Sequence, residues 1–141
     1  MFTLRPARPD DYDAIVELWS AAGSHVDLAA RESRHAFTRQ LAQFRDLFLV
    51  AVEGDRIIGV VLGSHDGRKG WINRLAVHPH HRREGVAAAL VTACDTAIRA
   101  EEISIVCALV ETGNAASAAL FRRLGYADDT PVAYFRKKST Q

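Results

Sequence analysis

Apolar and polar positions along this chain follow two periods, and the switches between them mark its elements. Phe2 and Leu4 alternate with polar residues, as in a short strand. Arg8-Pro9-Asp10-Asp11 has the make-up of a helix start, with proline early and acids in the first turn. Ile15, Leu18, Trp19 and Ala22 then share one helical face, and Gly23 closes it. A second helix is predicted from Leu28 to Phe44. The runs Leu47–Glu53 and Arg56–Ser64, joined at Gly54-Asp55, read as a hairpin. Beyond the turn at Asp66-Gly67-Arg68-Lys69-Gly70, a central strand spans Trp71–His78 and stops at Pro79. A long helix over Gly85–Ala100 turns Val86, Leu90, Ala93 and Ala97 to the sheet. Ile103–Val110 is a fifth strand, apolar on both faces, so cover on both sides is expected. A helix over Gly113–Leu124, capped by Gly125, and a last strand over Val132–Lys137 follow.

This order predicts an α/β (α+β) fold: a mixed, mostly antiparallel sheet flanked by about four helices, with a parallel pair where the central and fifth strands meet. The 141 residues fit one domain, 1–141, and a hydrophobic content of 48% supplies a sizeable core. A net charge of +1 gives no electrostatic reason for a nucleic-acid or anionic-membrane partner. No apolar run is long enough to span a bilayer, and Met1-Phe2-Thr3-Leu4-Arg5 is not built like a signal sequence, so a cytoplasmic protein is expected. Cys94 and Cys107 sit in apolar stretches and read as reduced core thiols. His78, His80 and His81 match no common zinc spacing and have no acid pair beside them in sequence. They read as a solvated loop, and no metal is expected.

The chemistry gathers in Trp71–Ala89. An apolar strand (Leu75, Ala76, Val77) is followed by the loop Arg82-Arg83-Glu84-Gly85-Val86-Ala87 and then by an alanine-rich helix. The first turn of a helix has unpaired N–H groups and about half a positive charge, which suits a phosphate. Gly85 lets backbone approach a ligand closely, and small Ala87 does the same.

Arg82-x-x-Gly85-x-Ala87 after this strand resembles the pyrophosphate-binding signature R/Q-x-x-G-x-G/A of the GNAT superfamily of acetyl-CoA-dependent N-acetyltransferases. Asn114, Ser117, Leu120, Phe121, Gly125 and Tyr126 resemble its second signature, N-x-x-A-x-x-L-Y-x-x-x-G-F, at the same spacing. The resemblance runs from Phe2 to about Lys137 and is similar in extent to the small YpeA-type bacterial members. It implies a sheet whose central and fifth strands splay apart, with the pantetheine arm of acetyl-CoA in the wedge. The loop Arg82–Ala87 would hold the pyrophosphate. Backbone groups of Leu75, Ala76 and Val77 would pair with pantetheine, and the Leu75 N–H would polarise the thioester carbonyl. Losing one such donor slows a reaction on the order of a hundredfold or more. Asn114 and Ser117 would contact the coenzyme arm; Asn114 also reads as a helix N-cap.

Phe121 departs from the pattern, because the family usually carries there a tyrosine that protonates the departing thiolate. Either Tyr126, Tyr134, Ser117 or water serves instead, or no acid is needed, since a thiol with a pKa of about 8.5 leaves fairly well. General-acid help is worth roughly a hundred- to ten-thousandfold, so its loss slows transfer without abolishing it. No base is identifiable on the central strand. Asn73 could hold a relay water, and Glu111 is the nearest carboxylate in the pattern. Glu32, His35 and His65 are further candidates, each read as an exposed charge. The expected function is transfer of acetyl from acetyl-CoA to a primary amine, small molecule or peptide, by direct attack in a ternary complex. The alternative is a weak or inactive coenzyme-binding sensor or interaction module. Homodimers are frequent among relatives, but no exposed edge can be assigned from sequence.

Overall fold

The structure, a computed structural model, describes residues 1–128 and 131–139. Two compact units divide the chain after Leu109. The first unit holds a sheet of strands β1 (Thr3–Pro6), β2 (Phe48–Glu53), β3 (Arg56–His65), β4 (Lys69–Val77) and β5 (Ile105–Ala108), in that spatial order. Pairs β1–β2, β2–β3 and β3–β4 are antiparallel, and β4–β5 is parallel. The helices are α1 (Tyr12–Ala21), α2 (Arg34–Gln43) and α3 (Val86–Arg99), with α3 crossing over between β4 and β5. This is the mixed sheet with one parallel pair that the sequence predicts.

Strand alternation divides the core into two layers. Phe48, Val50, Val60 and Leu62 pack with Ile15, Leu18, Trp19, Phe37 and Leu41 of α1 and α2. On the opposite face α3 lies very close to the sheet, and three glycines make room for it. A Cβ at Gly59 would fall 2.8 Å from Val86 Cγ1, one at Gly63 2.6 Å from Cys94 Sγ, and one at Gly70 2.4 Å from Ile98 Cγ2. Burial pushes the Cys94 thiol up to about 12, so it is inert and uncharged. Gly63→Ala should therefore cost about 1–3 kcal/mol by overpacking, because Leu47 O, a backbone atom 3.1 Å from the new methyl, cannot yield. Urea unfolding measures it, and adding Cys94→Ala should recover part of the loss.

Several expected boundaries shift. The second helix starts at Arg34, not Leu28, with Ser33 Oγ accepting from Ala36 N at 3.1 Å. The preceding residues turn tightly, since Asp27 O accepts from both Ala30 N and Glu32 N. The strand expected over 103–110 shortens to β5 and is not covered on both sides, because Ile105 is 51% and Leu109 55% exposed. Among the described residues it pairs with β4 alone, so it is an edge.

The second unit holds α4 (Ala115–Arg123). Asn114 caps it, its side chain accepting from Ser117 N at 3.1 Å, and Gly125 at φ +95° closes it. The strand expected over 132–137 does not form: residues 131–139 have no regular structure, and Val132, Tyr134 and Phe135 are exposed. Alternating apolar residues make a strand only where a ladder partner takes up their N–H and C=O groups. None of the described residues pairs with this stretch. No helix among the described residues is long and apolar enough to cross a membrane.

Candidate active site

The site grows from an irregularity in β4. Leu62 of β3 lies opposite Asn73 and Val60 opposite Ala76, so two residues, Arg74 and Leu75, face the single Val61. This is a β-bulge, with Arg74 in the left-handed region at φ +54°. The bulge inverts the strand. Before it, Gly70 faces α3; beyond it Ala76, of the same parity, joins the core under α1 and α2. Pairing with β5 has also ended at Ile72–Ala108. Arg74 and Leu75 thus have no ladder partner in either neighbour, and Asn73–Val77 has none on the β5 side. The β4–β5 ladder ends where the pantetheine wedge is expected.

Below this stretch the chain turns at Pro79–His81 and enters the loop Arg82–Gly85. Arg83 and Gly85 are both left-handed, at φ +66° and +83°, which folds the loop tightly. Arg83, a non-glycine held there, is strained in a way that clusters at binding sites. Gly85 is the N-cap of α3 and offers no side chain to its first turn. Nothing lies within 4 Å of where its Cβ would stand. Arg82, Arg83, Glu84 and Gly85 are exposed, Ala87 is half-buried, and Val86 anchors the helix in the core. Bare amides at a helix start with open space before them, flanked by two arginines, fit a diphosphate. Behind the loop, Glu53, His81 and Glu84 bring one ligand atom each within 4.8 Å of one another, so His81 does have an acid pair beside it in space. Glu53 lies on β2 and could not be placed there from sequence spacing.

A cavity of about 240 Å³ opens on the other side of the bulge, walled by Trp19, Phe37 and Phe44, with Glu32, Asn73 and Arg74 supplying polarity. Asn73 and Arg74 both line it although adjacent in sequence, which the bulge allows and strict alternation forbids. Arg74 stacks on Trp19, its Cζ 4.5 Å from the ring centroid, and its carbonyl accepts from Trp19 Nε1 at 3.3 Å. Its Nε and Nη2 are shielded from solvent and make no hydrogen bond. Burial pushes the guanidinium pKa down, and the Glu32 charge only partly opposes this; a guanidinium stays charged regardless. A cation–π contact returns about 0.5–2 kcal/mol, while each idle buried donor costs about 1–3 kcal/mol, so stacking leaves the charge undercompensated.

Glu32 corrects the expectation of an exposed charge: it is 7% exposed. Its backbone O accepts from Tyr12 OH at 2.5 Å and its Oε1 from Asp27 N at 2.8 Å, which holds it in the cavity wall. His35 is exposed as expected. His65 is half-buried and paired with Glu101 at 3.0 Å. Glu111, Asn114, Ser117, Phe121 and Tyr126 belong to the second unit. There Phe121 is buried with its ring 5.2 Å from that of Tyr126, edge to face, and Glu111 is exposed. Arg74 is the functional candidate missed from sequence; its left-handed φ and lost alternation have no local sequence mark.

Residues 12–126 match the model of the acetyltransferase (GNAT) family. The chain belongs to that family. It is an N-acetyltransferase, and the match runs through both units. An acetyltransferase of Pectobacterium atrosepticum is 31% identical over 125 residues, covering 87% of this chain and 86% of its own. The GNAT fold is equally clear in solved structures. Ard1 from Thermoplasma volcanium superposes with a TM-score of 0.79 at 20% identity, over 89% of this chain and 82% of its own. The PaiA N-acetyltransferase from Thermoplasma acidophilum, in complex with coenzyme A, does so at 0.78 and 17% identity, over 92% of each.

Proposed function

We propose that this GNAT protein transfers the acetyl group of acetyl-CoA to a primary amine by direct attack in a ternary complex. The observation that carries this reading is the bulge at Arg74–Leu75 together with the early end of the β5 ladder, which leaves Asn73–Val77 without a strand partner on the β5 side, beside an anion-ready loop. The PaiA relative by fold binds coenzyme A. Here the amides of Gly85–Ala87, with Arg82 and Arg83, take the pyrophosphate. Leu75, Ala76 and Val77 take the pantetheine amides as an added strand would. Acetyl-CoA supplies the activated acyl group. The Leu75 N–H receives the negative charge that develops on the carbonyl oxygen. Asn73, lining the cavity, holds the water through which the amine loses its proton, so the protein acts chiefly by positioning.

Acetyl-CoA at about a hundred times its Kd should stabilise the protein by about 2.7 kcal/mol, because it binds only the folded chain. Differential scanning fluorimetry reads that shift, and release of free thiol in the presence of an amine panel reads transfer. A missing shift, with no thiol released by any amine, would overturn the reading.

A further inference from the structure

The acceptor side of this site holds an unanswered charge. Arg74 lines the cavity, its Nε and Nη2 lack partners, and its backbone is held left-handed at φ +54°. Glu32, the acid in the same wall, does not form an ion pair with it; its Oε1 is engaged by the Asp27 N–H at 2.8 Å. Arg31, at the same cavity, adds a second positive charge. A guanidinium presents a planar fork that matches a carboxylate in two parallel hydrogen bonds.

We propose that Arg74 binds a carboxylate of the acceptor, and that the acceptor is a small amine bearing a carboxylate, of amino-acid size. The proposal rests on the transferase reading above. Three observations choose this class. The cavity, at about 240 Å³, lies below the roughly 300 Å³ at which pockets for larger ligands begin. Arg74 is next to Leu75 in sequence, so a carboxylate paired with its guanidinium keeps an attached amine near the carbonyl that the Leu75 N–H polarises. The cavity also pairs two cations, Arg31 and Arg74, with one acid, Glu32, which suits a zwitterion and repels a polyamine. Trp19, its ring centroid 4.5 Å from the Arg74 Cζ, holds the guanidinium in the cavity wall.

The test reads Arg74 directly. In nitrogen-15-labelled protein with acetyl-CoA bound, the Arg74 Nε–H resonance is assigned by its loss in Arg74→Lys. L-Alanine and L-glutamate should shift it on titration, and L-alaninamide and spermidine should not. In steady-state assays kcat/KM for L-alanine should exceed that for L-alaninamide at least tenfold, and Arg74→Lys should erase that preference through KM. A resonance unmoved by either amino acid overturns the proposal. Equal acetylation of alanine and alaninamide also overturns it, while leaving the transferase reading standing. Amino acids that shift the resonance, with no transfer to any amine, uphold the anion site and overturn the transferase reading instead.

Discussion

Gly85→Glu should raise the Kd for acetyl-CoA at least a hundredfold, about 2.7 kcal/mol, while the fold survives. The argument has two separable parts. Gly85 sits at φ +83°, so any L-residue there pays a left-handed backbone of about 1–2 kcal/mol. That penalty is present with and without ligand, so it lowers the melting temperature and leaves affinity alone. Space is no obstacle in the free protein, since nothing stands within 4 Å of the added Cβ. The carboxylate, however, enters the space before the first-turn amides of α3, where the diphosphate is proposed to sit, and opposing like charges cost several kcal/mol. Gly85→Ala isolates the first part: it should lose stability much as the glutamate variant does and keep more of the affinity. Calorimetric titration at two ionic strengths completes the test, because salt screens the glutamate's exposed charge and should narrow the gap between the variants. Binding of wild-type strength in Gly85→Glu would remove the pyrophosphate from this loop.

The loop was legible in the sequence because its shape resides in local chemistry. Strand, basic turn, glycine and small-residue helix sit within Leu75–Ala89, and their order alone predicts a tight loop entering a helix. The hairpin of β2 and β3, the long α3, the Asn114 cap and the parallel pair follow from the same kind of short-range rule. What escaped was set at long range. The bulge depends on how many residues β4 presents to Val61, and no residue type announces it. Arg74 accordingly drew no role within the predicted central strand, when it is a half-buried cation stacked on Trp19, fifty-five residues away in sequence. Glu32 read as a surface charge because its stretch is rich in ions; the turn at Asp27–Glu32 and the Tyr12 hydroxyl bury it. The acids beside His81 come from β2 and from the loop, so no spacing rule could unite them. At Phe121 the sequence showed a missing hydroxyl, and the structure gives the ring its own use, packed edge to face with Tyr126. The stretch 132–137 shows the converse error, since period-two apolarity allows a strand but does not supply its partner.

Replacing the Leu75 N–H by an ester oxygen should slow acetyl transfer by about a hundred- to a thousandfold, the loss seen when one oxyanion donor is removed. The change is made by building leucic acid, the α-hydroxy analogue of leucine, into position 75, which keeps the side chain and replaces the N–H donor by an oxygen. Most backbone esters in a sheet forfeit a ladder bond worth about 0.5–1.5 kcal/mol. Leu75 should not, because the β3–β4 register passes over it and β5 pairs no further than Ile72. Stability should therefore fall by no more than the weaker acceptance of Trp19 Nε1 by the ester carbonyl of Arg74, while kcat falls. The same ester at Val50 gives the opposite pattern. Val50 pairs with Arg5 on one side and Val60 on the other, so its N–H belongs to the ladder. That variant should melt earlier and turn over normally once folded. The split between kcat and KM refines the assignment: an N–H used only as charge develops on the carbonyl lowers kcat and kcat/KM together, whereas one that merely holds the coenzyme raises KM. Full activity in the Leu75 ester would mean that the bulge presents some other group to the thioester, and the catalytic role assigned to this backbone would have to move with it.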